Sequence, residues 1–382
     1  MSVCKKIYDL LVIILSKIIP INNKLILFES ADYGENAAEL YNQMLKKGIW
    51  EKYRAIWIVE NPKEQESVHP EIKFISKKNI LYLLYYRFAA AYTFFCHLFV
   101  GTRNKKGQVR VFLTHGQSLK NTTGCYVDYS GNTADIISIS EFAADLRCKS
   151  LGCSRDSVKI LGFPRDDVLI RDNDVKVKLH IPKGEKLILW MPTFRHNHGV
   201  CQNDEDFELL NNEEQLVALN EVLLSNRCTM VVKYHPHQDM RYVRKLRYSN
   251  LYSMLNIDFL KLGVEIYELM AASDALITDF SSTYIDYLLC DKPIAFDITG
   301  IDNFTQGFAV ENPEQYMPGN KIANTSQLMK FLSDVAEGRD SYQQERRHMC
   351  DLMHLYQDGK ATERILQYYG FEEQGNITNE KI

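Results

Sequence analysis

Two histidines follow apolar segments at points where a strand would run out into a loop. His115 lies in the motif THG after the run 109–113, and His235 lies in the motif KYHPH after the run 229–232. An imidazole with a pKa near 6.5 can take a proton from a hydroxyl, or donate one, at about neutral pH. The pair predicts general acid–base chemistry. For His115 taken alone, the alternative is a half-buried histidine beside a turn glycine.

Basic side chains stand at similar points of the chain, where they could hold the oxygens of a phosphate. Arginine offers a planar fork of donors and lysine a point charge. Taken alone, each of these side chains is more often a surface or ion-pair residue than a phosphate ligand. The candidates, all close behind apolar segments, are Lys120, Arg165, Arg195 and Lys233.

The stretch ALITDFSSTYIDYLL, residues 275–289, is typical of a buried strand, a short polar turn and a helix. Ser281 and Ser282 are natural residues for the helix start, where free backbone N–H groups and a partial positive charge favour a phosphate. The alternative is that these hydroxyls only cap the helix. Asp286, one turn further on, either orients a hydroxyl or faces solvent.

The elements that must position these residues alternate along the chain. Continuous apolar segments predict buried parallel strands, and segments with helical periodicity lie between them. This alternation predicts an α/β fold with two doubly wound parallel sheets, in which ligands bind at the carboxyl ends of the strands. The predicted strands are 25–28, 55–59, 109–113, 136–139, 158–161, 186–191, 229–232, 275–278 and 293–296, and the predicted helices are 37–47, 141–151, 213–224 and 284–289.

The composition and the net charge limit the kinds of protein that this chain can be. A hydrophobic content of 46% over 382 residues supports two domains, and the charged stretch 172–183 predicts their boundary: 24–180 and 181–370, after a helix within 1–23. The formal net charge of −4 argues against a nucleic-acid partner. Nine cysteines without metal-ligand spacing indicate reduced thiols of a cytoplasmic protein and no metal site.

The N-terminal segment KKIYDLLVIILSKIIP has apolar residues at helical spacing. It is too short to span a bilayer and is interrupted by Asp9 and Lys17. Two interpretations remain: a helix packed on its own domain or on a partner subunit, and a helix lying flat on an anionic membrane surface. The predicted apolar stripe consists of Ile7, Leu10, Leu11, Ile14, Leu15 and Ile18.

Taken in order, the motifs FLTHGQSLK, ILGFPRDDVL, ILWMPTFR, VVKYHPH and ALITDFSSTYIDYLLCDKPIAF resemble the CDP-glycerol glycerophosphotransferase family, which includes teichoic acid primases and polymerases. The resemblance also includes LFESADYGENAAELYNQML and GFAVENPEQYMPG, so it covers about residues 25–335. It implies a GT-B fold, in which two Rossmann-like domains face a cleft.

By the same resemblance, His115 would be the catalytic base that deprotonates an acceptor hydroxyl, and Gly116 would let a substrate approach the backbone. His235 would contact the donor pyrophosphate or assist the departure of CMP. The resemblance places the remaining substrate contacts around the donor: Ser281 and Ser282 on phosphate, and Thr193, Arg195 and Asp279 along the nucleotide.

The implied reaction moves glycerol phosphate from a CDP-alcohol to a lipid-linked or glycan acceptor, with no cofactor beyond the donor substrate. Gln117-Ser118 replaces the Thr-Pro that often follows His-Gly in the family, so we expect a different acceptor loop. The absence of the extra domain of long-chain polymerases favours a capsule or surface-glycan transferase that adds one or few units. We expect a cytoplasmic protein, peripheral on the inner face of the membrane, with a homo-oligomer as an open alternative.

Three alternatives to this function remain open at the level of sequence. Few side chains contact a polyol, so CDP-ribitol is as compatible with the motifs as CDP-glycerol. A GT-B glycosyltransferase would use a nucleotide sugar in the same fold. A non-catalytic nucleotide- or glycan-binding module would bind ligand and be indifferent to the loss of His115 or His235.

Overall fold

The structure, a computed structural model, describes residues 3–97, 105–122, 134–192, 209, 212–234, 246–299 and 307–371. The chain divides into two compact units, of which the first comprises Met1–His115, Thr123–Asp167 and Lys360–Ile382 and the second Gly116–Thr122 and Val168–Gly359. From the sequence, the boundary between the domains was expected near residue 180, and the segment up to residue 370 was expected in the second domain. In the structure the boundary instead follows Asp167, and the end of the chain, from Lys360 on, belongs to the first unit.

The first unit is built on a seven-stranded sheet with the order β3-β2-β1-β4-β5-β6-β7, in which all neighbours are parallel. Its helices are α1 (Val3–Ile18), α2 (Glu35–Lys46), α3 (Pro62–Val68), α4 (Ile80–Ala89) and α5 (Glu141–Leu151). Its strands are β1 (Asn22–Glu29), β2 (Arg54–Val59), β3 (Phe74–Ser76), β4 (Ala90–Phe95), β5 (Val109–Phe112), β6 (Asp135–Ser138) and β7 (Val158–Ile160).

Strand β4 is the central strand of this sheet, between β1 and β5, yet it was not predicted from the sequence. The reason is local: α4 ends at Ala89 and β4 begins at Ala90, with no turn residue between them. The residues around this junction, 88–91, are continuously apolar, and such a run offers no period that separates a buried helix end from a buried strand. Three short strands were missed as well: β3 in this unit, and the two edge strands of the second sheet.

Helix α1 packs on its own unit through Leu15, which belongs to the predicted apolar stripe, and Val12, which does not. Val12 and Leu15 lie against the core that Ile19, Leu25 and the buried side of α4 form. Leu10, Ile14 and Ile18 of the predicted stripe are exposed. The helix is therefore apolar on both faces. None of the described helices is long and apolar enough to cross a bilayer.

The second unit has a six-stranded parallel sheet with the order β10-β9-β8-β11-β12-β13. Its helices are α6 (Val175–Lys178), α7 (Glu213–Ser225), α8 (Asn256–Lys261), α9 (Ile266–Ala272), α10 (Thr283–Tyr287), α11 (Thr325–Ala336) and α12 (Gln343–Met353). Its strands are β8 (Lys186–Met191), β9 (Cys228–Lys233), β10 (Leu251–Met254), β11 (Ala275–Thr278), β12 (Ile294–Asp297) and β13 (Asn320–Ile322).

The last helix, α13 (Ala361–Tyr368), belongs to the first unit. The Asp167 carboxylate accepts hydrogen bonds from the N–H groups of Ala361 and Thr362, both at 2.8 Å, and so caps this helix. Gly162 has φ of +84°, and a β-carbon there would lie only 2.8 Å from that of Ala361. The motif GFPRDD thus holds the returning end of the chain, which is why the domain assignment by sequence position failed there.

Candidate active site

The loop that follows β5 has an unusual backbone around His115. Thr114 has φ of 62° and Gly116 has φ of 105°, so the residues on both sides of the histidine lie outside the region that L-residues prefer. For a β-branched residue such as Thr114 this conformation costs about 1–3 kcal/mol. Strain of this kind persists only where the surroundings impose it.

Asn36, the second residue of α2, imposes that conformation. Its amide group is fully buried and donates to the carbonyl oxygens of Leu113, at 2.9 Å, and Thr114, at 3.1 Å. Its side-chain oxygen accepts the N–H of Arg165 at 3.2 Å. One side chain therefore joins the start of α2, the end of β5 and the loop after β7.

Glu35, the first residue of α2, holds the His115 ring. The distance from Glu35 Oε2 to His115 Nδ1 is 2.8 Å. Desolvation by its surroundings raises the pKa of Glu35, but the charge and hydrogen bond of His115, with the charges of Arg165 and His97, lower that pKa to about 2. An ionised carboxylate can only accept, so Nδ1 of His115 must donate to it. When the ring is neutral, its Nε2 is left free to accept a proton.

A second imidazole packs against the first. His97 follows β4, and its ring centroid lies 3.7 Å from that of His115 with an angle of 60° between the planes. Its Nδ1 accepts the N–H of Ala31 at 3.2 Å. Burial and the neighbouring charge of His115 lower the pKa of His97 to about 4. His97 is therefore neutral at pH 7 and can pack on His115 with little repulsion.

Asp32 completes a cluster of titratable groups in which neighbouring pKa values are driven apart. Desolvation, and then the negative charge of Glu35, raise the pKa of Asp32 to about 6. Glu35, three residues on, is held near 2. Divergent values among adjacent carboxyl groups are a mark of sites that do acid–base work.

His115 and Arg165 were predicted from the sequence, but the roles of Glu35, His97, Asn36 and Asp32 were not. Three of them lie within the segment LFESADYGENAAELYNQML that carried part of the resemblance, so the signal was present without a role attached. His97 follows a strand that had not been recognised. Arg165 is 6% exposed, lies over the Phe163 ring at 5.8 Å and contributes to the low pKa of Glu35.

In the second unit, the loop after β11 is organised by its own side chains. Asp279 Oδ1 accepts the N–H of Ser281 at 3.1 Å, and Ser281 Oγ lies 2.9 Å from Thr283 Oγ1. Ser282 is the residue that precedes α10, and its side chain makes no capping hydrogen bond. Both serines are half-buried. Asp279 and Ser281 thus make hydrogen bonds within the turn, whereas the hydroxyl of Ser282 does not cap α10.

Asp286 does not face solvent. It is fully buried, and its Oδ2 accepts the hydroxyl hydrogen of Tyr267 at 2.6 Å. Of the two expectations for this residue, orientation of a hydroxyl is therefore the one that the structure supports. The hydroxyl is one of the protein itself. Because Asp286 is buried and bonded to Tyr267, its contact is structural, and the predicted contact with a substrate is not supported.

Two lysines of the prediction have different surroundings. Lys233 ends β9 with 7% of its surface exposed, and burial lowers its pKa to about 8. Lys120 forms an antiparallel bridge with Phe308, and the N–H of Asn121 donates to the carbonyl of Gly307 at 2.9 Å. The segment Gly116–Thr122 thus belongs to the second unit, although His115 belongs to the first. Thr193, Arg195 and His235 lie outside the described residues.

The sequence of this chain is similar to those of known proteins. The family model CDP-glycerol:poly(glycerophosphate) glycerophosphotransferase matches residues 11–369. A teichoic acid glycerol-phosphate transferase of Staphylococcus aureus is 23% identical over 91% of this chain and 92% of its own length. A teichoic acid poly(glycerol phosphate) polymerase of Staphylococcus epidermidis is 24% identical over 90% of this chain, which spans only half the length of that relative.

Solved structures agree on the fold. The wall teichoic acid polymerase TagF matches with a TM-score of 0.75 and 20% identity, over 97% of this chain and 98% of that one. A TagF variant soaked with CDPG matches with a TM-score of 0.74 and 22% identity, over 92% of this chain and 89% of that one. The expected GT-B fold, with two parallel sheets flanked by helices, is confirmed.

Proposed function

The chain belongs to the CDP-glycerol:poly(glycerophosphate) glycerophosphotransferase family, and from this premise we propose that it transfers glycerol phosphate from CDP-glycerol to a hydroxyl of a teichoic-acid-like or capsular glycan, releasing CMP. The observation that carries the proposal is the Glu35–His115 pair, 2.8 Å apart at the end of β5. It is a base with a defined tautomer, at the carboxyl end of a strand where α/β sheets bind ligands.

In the proposed reaction, Nε2 of His115 takes the proton of the acceptor hydroxyl. The oxygen attacks the distal phosphorus of CDP-glycerol, a new P–O bond forms, and the bond from that phosphorus to the bridging oxygen breaks. The electron pair leaves with CMP. As the imidazolium forms, the ionised Glu35 carboxylate on Nδ1 stabilises it, as expected of a carboxylate that orients a catalytic histidine.

The donor side of the proposal rests on the second unit. The leaving CMP needs donors for its phosphate oxygens, and Lys233 and the hydroxyl of Ser282 are suited to supply them. A lysine with a pKa of about 8 is still mostly protonated at pH 7, so Lys233 would carry the positive charge that this role requires. His235, Thr193 and Arg195 are assigned to the same donor by the family resemblance alone.

The test is CMP release from CDP-glycerol in the presence of lipid-linked acceptors, with CDP-ribitol and UDP-sugars as parallel donors. Replacement of His115 by alanine should reduce turnover by about 10²–10⁴-fold with the fold intact. His348→Ala removes an exposed imidazole from α12 and serves as the matched control. Unchanged CMP release by His115→Ala would overturn the assignment of the base, and tight donor binding with no turnover in the wild type would favour a binding module.

Acceptor and location follow from the same proposal. A lipid-linked acceptor would place the reaction at the inner face of the cytoplasmic membrane, with the protein bound peripherally. Gln117 and Ser118, which replace the usual Thr-Pro, favour an acceptor different from that of the long-chain polymerases. We expect one or few units per acceptor. Radiolabelled product that grows to many units on one acceptor would contradict this.

A further inference from the structure

His97, which follows β4, is tied to the end of β1 by hydrogen bonds. Its backbone N–H donates to the carbonyl of Glu29 at 3.4 Å, and its Nδ1 accepts the N–H of Ala31 at 3.2 Å. A neutral imidazole whose Nδ1 accepts a hydrogen bond carries its proton on Nε2. The tautomer of His97 is therefore the opposite of that of His115, whose Nδ1 donates to Glu35.

The contact between the two rings restricts what the hydrogen bond to Glu35 leaves free. That bond holds one nitrogen of His115, but a ring held at one atom can still tilt, and tilting would move Nε2. The ring centroids of His97 and His115 are 3.7 Å apart, with an angle of 60° between the planes. Since aromatic pairs usually have centroids about 4.5–7 Å apart, this contact leaves His115 little room to tilt towards His97.

The charged groups around the two rings favour an uncharged His97. They belong to α2 and to the segments that follow four strands of the sheet: Asp32, Glu35, Glu60, Lys77 and Arg165. Burial and then the charge of His115 lower the pKa of His97 to about 4, although Glu35 and Glu60 raise it. Protonation would also put a hydrogen on Nδ1, against the N–H that this atom accepts. His97 is thus neutral near pH 7, where a positive charge on it would oppose an imidazolium at His115.

We propose that His97 is a positioning residue for the transfer reaction, a neutral ring that fixes the plane of His115 and so the direction in which its Nε2 points. Glu35 determines which nitrogen of His115 is free, and His97 determines where that nitrogen is aimed. His97 itself moves no proton. The inference rests on the proposed function, in which His115 is the base.

Two variants separate this role from a structural one. In His97→Asn, the amide oxygen can take the place of Nδ1 and accept the N–H of Ala31, but no ring packs on His115. We expect kcat to fall about 10–10²-fold, with an unchanged KM for CDP-glycerol and a urea midpoint near that of the wild type. His97→Phe keeps a flat ring and loses the acceptor, so it should lower the urea midpoint and retain most of the turnover.

His69→Asn is the matched control, because it removes another half-buried imidazole of the first unit, one that packs on the Tyr33 ring at 4.2 Å. It should keep the turnover of the wild type. Nitrogen-15 NMR of the wild type at pH 7 should show a neutral His97 with its proton on Nε2. Relaxation measurements on the His115 ring should show more motion in His97→Asn than in the wild type or in His69→Asn.

Several outcomes would overturn the inference. They are unchanged turnover in His97→Asn, a loss of turnover that follows the urea midpoint in both His97 variants, and a His97 that is charged or carries its proton on Nδ1 at pH 7. A wild type that releases no CMP from any donor would instead contradict the proposed function. The motion of the His115 ring would then decide the present inference, and a ring as rigid in His97→Asn as in the wild type would end it.

Discussion

The loops after β5 and after β11 both end a buried parallel strand, but they obtain their order in different ways. His115 is held by a carboxylate 80 positions earlier and by the His97 ring. Asp279, Ser281 and Thr283 bond among themselves within five residues. His115 is thus held by residues that are distant in the chain, whereas these hydrogen bonds of Asp279 and Ser281 are local.

This difference has a functional meaning. A base must be presented with one nitrogen free and in a fixed direction, and only long-range partners such as Glu35 and Asn36 can fix both ring and backbone. A phosphate contact needs only donors near a helix start, which a local turn supplies. Changes in the first loop should therefore lower turnover, and changes in the second should weaken donor binding.

Among the variants that test this contrast between the two loops, Glu35→Gln should have the largest effect. The amide of glutamine can accept from or donate to Nδ1, so the tautomer of His115 is no longer set, and turnover should fall by about 10²-fold with little change in KM. Nitrogen-15 NMR at alkaline pH, where imidazoles are neutral, should show the Nδ1–H tautomer of His115 in the wild type and a mixture in the variant.

Glu39→Gln, one turn further along α2, is the matched control for that experiment. Its Oε1 accepts a hydrogen bond from Gln43 Nε2 at 2.7 Å, and the variant should behave as wild type in both measurements. If Glu35→Gln lowered turnover without altering the tautomer, the contribution of Glu35 would be to the fold alone. The NMR result does not depend on the identity of the substrate.

A smaller effect is expected for Ser282→Ala. Loss of one hydrogen bond to a charged phosphate costs about 1.5 kcal/mol, so KM for CDP-glycerol should rise about tenfold while turnover is retained. Ser326→Ala, at an exposed position near the start of α11, is the control. A fall in turnover at unchanged KM would remove the contrast between the two loops.

The smallest effect concerns stability in acid. The folded-state pKa of Glu35 is about 2 against 4.5 for the free group, so its ionised form stabilises the fold above pH 4.5, and this contribution is lost as the pH falls toward 2. The difference in urea midpoint between wild type and Glu35→Gln should therefore shrink between pH 5 and about 2.5. A difference that stays constant over this range would contradict the low pKa.

Much of the fold could be predicted from the sequence, and the exceptions have identifiable causes. Strands such as β8 and β11 are apolar runs bounded by polar residues, and they were predicted with their observed limits. Strand β4 directly follows α4 and was missed. Because His97 depends on β4 for its position, the missing strand also concealed a member of the site.

The sequence by itself determined the alternation of strands and helices, the strand-end position of His115 and the turn at Asp279–Ser282, because each depends on residues within a few positions of one another. Only the tertiary structure decided that Glu35 and His97 meet at His115, that Asp286 is buried and hydrogen-bonded to Tyr267, and that the outer face of α1 is exposed. Those outcomes depend on which segments the sheet brings together, and pairing between distant segments leaves no periodic signal in the chain.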